Sequence, residues 1–246
     1  MPSDEKTPVP KDATQQPAEQ HSNANDVGAF LAKVRSMPAP VTGSGDHGRL
    51  IFAMDATMSR QPTWDMALGL QADMFHEVKS VGGLDVQLIY FRGFGECRAS
   101  KWVSDPDALA QLMTTVQCRG GHTQIRKVLL HAKREAEQHK VGALVYVGDC
   151  MEERIDDLAQ HAGELSLLGV PVFLFQEGYE PRAEQAFREI ARLTHGAYCR
   201  FDAGAATQLR ELLSAVAVYA AGGAKALEDL SAARGGGARL LLEQLK

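Results

Sequence analysis

The residues best suited to chemistry follow a short apolar segment, Leu50–Met54. They form the sequence Asp55-Ala56-Thr57-Met58-Ser59, a D-x-T-x-S pattern with one carboxylate and two hydroxyls on alternate residues. Oxygen donors of this kind suit Mg²⁺, which takes six oxygen ligands, some of them water. Hydroxyls are neutral ligands, so they leave the charge of the ion largely unquenched. The segment therefore offers oxygen donors of the kind that a divalent cation binds, at the end of an expected strand.

Two later segments carry matching oxygen donors. Thr123 follows the loop 118–122, and Asp149 follows the apolar segment 143–147. Each residue also has an ordinary explanation when taken singly: Asp55 as a turn residue or helix N-cap, Thr123 as the N-cap of the next helix, Asp149 as a turn residue. Together they mark three strand or helix ends that we expect to converge at one edge of a sheet.

The elements that position these residues follow from hydrophobic patterning. Short apolar segments alternate with helical periodicity, which predicts an α/β fold with a mostly parallel, doubly wound sheet, helices on both faces and one short antiparallel edge strand. Ligands of such sheets bind outside the carboxyl ends of the strands. The loops after Met54, Val147 and Phe175 are therefore the candidate binding loops, and these three residues are expected to end neighbouring strands.

These segments resemble the von Willebrand factor A (VWA) family over about residues 49–220. The metal ion-dependent adhesion site of that family uses a D-x-S-x-S loop after the first strand, a threonine in a later loop and an aspartate after the fourth strand. The resemblance implies a Rossmann-like VWA fold with Mg²⁺ or Mn²⁺ held by Asp55, Thr57, Ser59, Thr123 and Asp149. It also implies metal-assisted protein–protein binding, in which a partner protein supplies an Asp or Glu to the ion.

The site departs from the family pattern at three positions. Thr57 keeps the hydroxyl but adds a methyl group, Met58 replaces a small residue, and Arg60 places a cation close to the proposed ion. The Arg60 side chain has three open roles: it points away, it pairs with a carboxylate of the partner, or it weakens metal binding. A metal-free scaffold of the same fold is therefore the main alternative function.

Other chemistries find less support in the sequence. Cys118, Cys150 and His122 flank the same region, but their spacing matches no zinc module. A metal-dependent phosphohydrolase of the haloacid-dehalogenase type needs D-x-D after the first strand, and Thr57 stands where the second carboxylate is required. Phosphate-binding glycine loops and a nucleophile elbow are also absent. We predict that the chain is not an enzyme and keep the phosphohydrolase as a further alternative.

Charge and hydropathy limit the partners. The formal net charge is −5, and the most basic segment, 126–140, is interrupted by glutamates and lacks interleaved aromatic residues. We expect no nucleic-acid partner. Apolar segments are too short to span a membrane and the first residues lack a secretory h-region, so we expect no membrane association and a cytoplasmic protein. The oligomeric state is left open.

The domain prediction divides the chain into three parts. Residues 1–47 form a disordered, Pro-rich arm with a short amphipathic segment at 27–36, which either docks on the domain or binds a partner. Residues 48–222 form the VWA-like domain. Residues 223–246 form a helical, Gly-interrupted C-terminal tail whose leucine-rich end either folds back or inserts into a partner.

Overall fold

The computed structural model describes residues 47–78, 83–202 and 206–233. Almost all of the predicted arm, its segment 27–36 and the leucine-rich end of the tail lie outside these residues. The division into arm, domain and tail therefore stays a prediction. Within the described ranges, no helix combines the length and the apolar character needed to cross a bilayer.

A six-stranded sheet forms the centre of the molecule. Its strands are β1 (Gly48–Asp55), β2 (Leu84–Arg92), β3 (Glu96–Ala99), β4 (Ala143–Gly148), β5 (Val172–Glu177) and β6 (Ala197–Phe201). The spatial order is β3-β2-β1-β4-β5-β6, and all pairs are parallel except the antiparallel pair β2–β3 at one edge. This confirms the predicted fold class, including the antiparallel edge strand.

Helices cover both faces of the sheet. They are α1 (Gln61–Val78), α2 (Pro106–Thr114), α3 (Ile125–Gln138), α4 (Ile155–Leu167), α5 (Pro181–Leu193) and α6 (Ala206–Ala233). Alternate residues of the buried strands point to opposite faces, so the core has two halves. Phe52 packs with α1, α2 and α6 on one face, whereas Ile51 packs with α3, α4 and α5 on the other.

Local sequence signals explain where several elements begin. Asp105 caps α2 because its carboxylate accepts a hydrogen bond from the Ala108 N–H at 2.9 Å, and Pro106 occupies the first helical position. The edge strand β3 is short and ends at Ala99. Beyond Ala99 the Ser100 N–H still donates to the Leu88 carbonyl at 2.8 Å, and the next contact with β2 is an isolated bridge between Val103 and Val86.

Met54, Val147 and Phe175 lie near the carboxyl ends of β1, β4 and β5, which are neighbours in the sheet. The prediction for these three strand ends is confirmed. Each strand extends one or two residues further than expected, so that Asp55 is the last residue of β1 and Glu177 the last residue of β5. Both side chains therefore lie at the carboxyl edge.

Candidate metal centre

Two aspartates meet at the carboxyl edge of the central strands. Asp55 is only 1% exposed, and Asp149 directly follows β4, the strand that pairs with β1. A carboxylate oxygen of each aspartate and the sulfur of Cys150 all lie within 4.8 Å of one another. The parallel pairing of β1 and β4 therefore produces the convergence that the sequence predicted for these two residues.

The D-x-T-x-S segment connects the two aspartates through its hydroxyl residues. The Thr57 N–H donates to Asp55 Oδ1 at 2.7 Å, which holds the carboxylate in place. Thr57 Oγ1 and Ser59 Oγ are 3.4 Å apart, and the Ser59 hydroxyl donates to Asp149 Oδ2 at 3.1 Å. Four of the five predicted ligands thus form one continuous set of contacts.

One oxygen of each aspartate has no hydrogen-bond donor. Asp55 Oδ2 and Asp149 Oδ1 are both buried, and no described residue donates to either. Burial raises the pKa of Asp55 to about 6; the nearby Asp149 contributes to this increase, whereas the Thr57 hydrogen bonds and Arg60 oppose it. Two buried anionic oxygens beside neutral hydroxyls are a donor set that fits a hard divalent cation.

Thr123, the fifth predicted ligand, lies in a separate network. Its backbone N–H and hydroxyl both donate to Glu152 Oε2, at 2.9 and 2.6 Å, and the Glu152 N–H donates to Thr123 Oγ1 at 3.2 Å. Glu152 comes three residues after Asp149, so these bonds join the Thr123 loop to the Asp149 loop. One lone pair of the Thr123 hydroxyl remains available as an acceptor.

Thr123 is not the N-cap of helix α3, which is the ordinary role that its position in the sequence suggests. Helix α3 begins at Ile125 after Gln124, which makes no capping bond with its side chain. The carboxylate of Glu153 instead accepts from the Ile125 and Arg126 N–H groups, at 2.6 and 3.0 Å. The loop that follows β4 therefore caps this helix, and Thr123 binds Glu152 instead.

Close backbone packing holds the Thr123 loop against the loop after β2. The His122 N–H donates to the Gly93 carbonyl at 3.1 Å. A Cβ atom on Gly121 would overlap the Gly93 backbone, so a side chain at that position would push the loop away from the sheet. Gly121 therefore has a structural role in bringing Thr123 to the edge.

Arg60 points into the site. Its side chain is buried, forms an ion pair with Glu177 and places Nη1 at 3.9 Å from Asp149 Oδ2. The Thr63 hydroxyl also donates to the Glu177 carboxylate. Of the three roles considered for Arg60, pointing away is therefore wrong, because the side chain is an internal counterion.

Glu177 was not identified from the sequence. The loop after Phe175 was a candidate binding loop, but nothing in the local sequence distinguishes a glutamate at a strand end from a solvated one. With Asp55, Asp149 and Glu177 ionised, the site carries three negative charges and one positive charge from Arg60. The remaining negative charge leaves an electrostatic attraction for a further cation.

The thiols near the site remain protonated when no ion is bound. Burial raises the pKa of the Cys150 thiol well above its usual range, and the neighbouring Asp149 adds to the effect. Burial likewise raises the pKa of Cys118 to about 11. Without a bound ion the thiols are therefore neutral, and the carboxylate oxygens are the charged donors of this cluster.

Searches with the sequence gave no matching family model and no matching curated protein. Comparison of the fold with solved structures did give matches. A von Willebrand factor type A protein from Catenulispora acidiphila superposes with a TM-score of 0.59 at 16% identity, covering 70% of this chain and 43% of that one. The SpRpn10 VWA domain superposes with a TM-score of 0.52 at 12% identity, covering 70% of this chain and 94% of that one.

The chain has the von Willebrand factor A fold. An aerotolerance-related membrane protein from Bacteroides fragilis also matches, with a TM-score of 0.52 at 19% identity, covering 68% of this chain and 98% of that one. At these identities the likeness concerns the fold alone. The resemblance to the VWA family is thereby confirmed at the level of fold, whereas the five metal ligands remain a prediction. In this VWA fold, Asp55 and Asp149 occupy the carboxyl edge of the sheet.

Proposed function

We propose that this VWA-fold chain is a protein-binding module that captures a partner carboxylate through a divalent cation, Mg²⁺ or Mn²⁺. The ligands would be Asp55, Thr57, Ser59, Thr123 and Asp149. The observation that carries the proposal is the pair of buried aspartate oxygens, one on Asp55 and one on Asp149, that receive no hydrogen bond from the described residues. A bound cation would supply a positive charge at these oxygens and an open position for an Asp or Glu of the partner.

The residues of the chain contribute orientation and charge. The Thr57 N–H fixes Asp55, and the Ser59 hydroxyl fixes Asp149 while keeping its own lone pairs available. Glu152 and Gly121 hold the Thr123 loop at the edge of the sheet. These contacts preorganise the oxygen donors, so that the site would lose little conformational entropy when it takes up the ion.

Exposed apolar side chains at the same edge favour a protein as the ligand. Met58 follows β1 and is 64% exposed, Phe94 follows β2 and is 85% exposed, and Tyr179 follows β5 and is 63% exposed. Three large apolar side chains around a carboxylate cluster resemble the mixed composition of protein interfaces, where apolar anchors surround a polar contact.

Affinity capture with the purified protein tests this function. We expect wild-type protein to retain a partner in Mg²⁺ and to lose it in chelator. The Asp55→Asn variant should retain it in neither buffer. The matched control Asp107→Asn, which changes an exposed aspartate of α2, should behave like wild type. Retention of the same partner by Asp55→Asn in chelator would contradict the proposal.

Arg60 favours a second candidate function, a metal-free scaffold. Its guanidinium already contacts Glu177 and approaches Asp149, so it balances part of the negative charge that an ion would balance. In that case partner binding would use the apolar side chains of the edge without a cation. Partner retention that is equal in Mg²⁺ and in chelator, but lost in a Phe94→Ser variant, would favour the scaffold.

A further inference from the structure

A basic cleft lies between the edge strand β3 and helix α3. It is at the opposite edge of the sheet from β6. Its volume is about 140 Å³. Its lining comes from one residue of β2, three of β3 and four of α3: Ile89, Cys97, Arg98, Ala99, Lys127, Leu130, His131 and Arg134. The cleft shares none of these residues with the proposed metal ligands.

The positive charges of Lys127 and Arg134 are not balanced by an ion pair with any described residue. Lys127, His131 and Arg134 are spaced four and three residues apart, so they share one face of α3. The Lys127 ammonium donates only to neutral oxygens, the Gly95 carbonyl at 2.7 Å and Gln124 Oε1 at 2.9 Å. Within the described ranges, Arg134 makes neither a hydrogen bond nor an ion pair.

A neighbouring position on α3 provides a contrast. Lys133 points to a different face of the helix and forms an ion pair with Glu164 at 3.0 Å. The one acidic side chain of α3 close to the cleft, Glu135, accepts a hydrogen bond from Trp102 Nε1 at 2.9 Å and lies 3.7 Å from His131. The charges of Lys127 and Arg134 are thus the ones available to a ligand.

Among the residues that the structure describes, none forms a hydrogen bond with the backbone groups of β3 that point away from β2. The Ser100 N–H donates to the Leu88 carbonyl at 2.8 Å, so Ser100 faces β2. Backbone groups of successive strand residues point to opposite sides, which directs those of Cys97 and Ala99 away from β2. Since β3 is the last strand of the sheet, these groups form an edge that a further strand can pair with.

We propose that this edge binds an extended acidic peptide segment of a partner protein, which pairs with β3 and runs beneath α3. Alternate side chains of the added strand would face α3, because side chains of a strand alternate between the two faces. Glutamate or aspartate at these alternate positions would meet Lys127 and Arg134. Backbone pairing provides the affinity, and the basic face of α3 provides the specificity.

Charge argues against a second copy of this chain as the occupant. In the antiparallel register that pairs Cys97 with Ala99, two β3 strands would bring Arg98 of one copy opposite Arg98 of the other, and in any register each copy would add its own Lys127 and Arg134. Like charges across a strand pair are destabilising. A segment with net negative charge removes this repulsion, so a different, acidic partner fits the edge better.

The test uses a fluorescently labelled synthetic peptide in which glutamate alternates with valine, with fluorescence anisotropy as the readout. Chelator is present throughout, so the result is independent of the proposed metal site. We expect binding that weakens as ionic strength rises from roughly 0.05 to 0.5 M, because salt screens the exposed charges. A matched peptide with lysine in place of glutamate should not bind.

Charge reversal identifies the site. We expect the Lys127→Glu/Arg134→Glu variant to bind the acidic peptide at least about tenfold more weakly. The control Arg154→Glu/Arg182→Glu makes the same change in net charge at exposed positions outside the cleft and should bind like wild type. If both variants lost affinity for the peptide equally, the effect would come from net charge alone and the proposal would be overturned.

Hydrogen exchange separates strand pairing from loose electrostatic attachment. We expect the peptide to slow exchange at the Cys97 and Ala99 amides, which pairing would engage. Binding without protection of these amides would overturn the proposal, as would an absence of peptide binding. The proposal would also be overturned if the protein without peptide formed a dimer and exchange at the same amides were slow in that dimer. A second copy of the chain would then be the occupant.

Discussion

The carboxyl edge and the basic cleft hold charged groups in opposite ways. At the carboxyl edge Asp55 and Arg60 are buried, and Asp149 and Glu177 contact the same cluster. In the cleft, Lys127 and Arg134 are exposed. Burying a charge costs free energy that only a close partner of opposite sign offsets, whereas an exposed charge costs little. The first region therefore depends on its internal counterions, and the second is free to serve an external ligand.

The largest effect is expected when the buried ion pair is broken. Arg60→Met leaves the Glu177 carboxylate without its guanidinium, and we expect a loss of about 3–5 kcal/mol in the free energy of unfolding. The exposed counterpart is Arg188→Met, which breaks a pair with Glu184 on α5 and should cost about 0–1 kcal/mol. Urea unfolding measures both.

A double variant controls for lost packing at Arg60. Glu177→Gln in the Arg60→Met background removes the unpaired charge, so part of the lost stability should return. If Arg60→Met costs no more than Arg188→Met, the buried ion pair contributes no more to stability than an exposed one, which would contradict the effect of burial.

The next largest change in stability is expected when the charge of Asp55, in the same cluster, is removed. Burial raises the pKa of Asp55 above its usual value, so the ionised carboxylate destabilises the folded state at neutral pH. In chelator, Asp55→Asn should therefore raise the free energy of unfolding by about 1–2 kcal/mol. Asp107→Asn, at an exposed helix start, should lower it slightly. A loss of stability in Asp55→Asn would contradict this account, because the hydrogen bonds from Thr57 and the charge of Arg60 would then outweigh the burial of the carboxylate.

The next prediction concerns the pH dependence of stability, to which His131 of the cleft contributes. Burial lowers the pKa of His131, and nearby Arg134 lowers it further, while Glu135 acts in the opposite direction. The unfolded chain then binds the proton more readily, so stability should fall as pH decreases from about 7 to about 5. His131→Gln should lose less stability than wild type over that range in urea unfolding. Identical pH profiles would contradict this account of the cleft.

The smallest effect is expected at the exposed charges of the cleft. Arg134→Glu removes no hydrogen bond or ion pair within the described residues, so the free energy of unfolding should change by less than about 0.5 kcal/mol. Thermal unfolding measures this directly. A large loss would mean that Arg134 stabilises the fold and is not free for a partner.

The sequence predicted those features that depend on the strand-end rule. Asp55 and Asp149 lie close together because neighbouring parallel strands end at the same edge of the sheet. The apolar segments that mark β1 and β4 are visible in the sequence. The hydroxyl at Ser59 followed from the spacing of the D-x-T-x-S segment. Fold class and the site centre were therefore accessible without a structure.

Features that depend on contacts between distant segments were not accessible. The inward position of Arg60 depends on Glu177 at the end of β5, and the start of α3 depends on Glu153 after β4. A capping rule based on local sequence points to Thr123, yet that residue binds Glu152. Local propensity has no information about which carboxylate another loop will supply.

The metal response of thermal unfolding tests the central claim most directly. A ligand that binds only the folded state stabilises it by mass action, by about 2.7 kcal/mol at a concentration one hundred times its dissociation constant. We predict that saturating Mg²⁺ or Mn²⁺ raises the melting temperature of the wild type relative to chelator, and leaves Asp55→Asn unchanged. An equal response in both proteins, or none in the wild type, would contradict a cation held by Asp55 and Asp149.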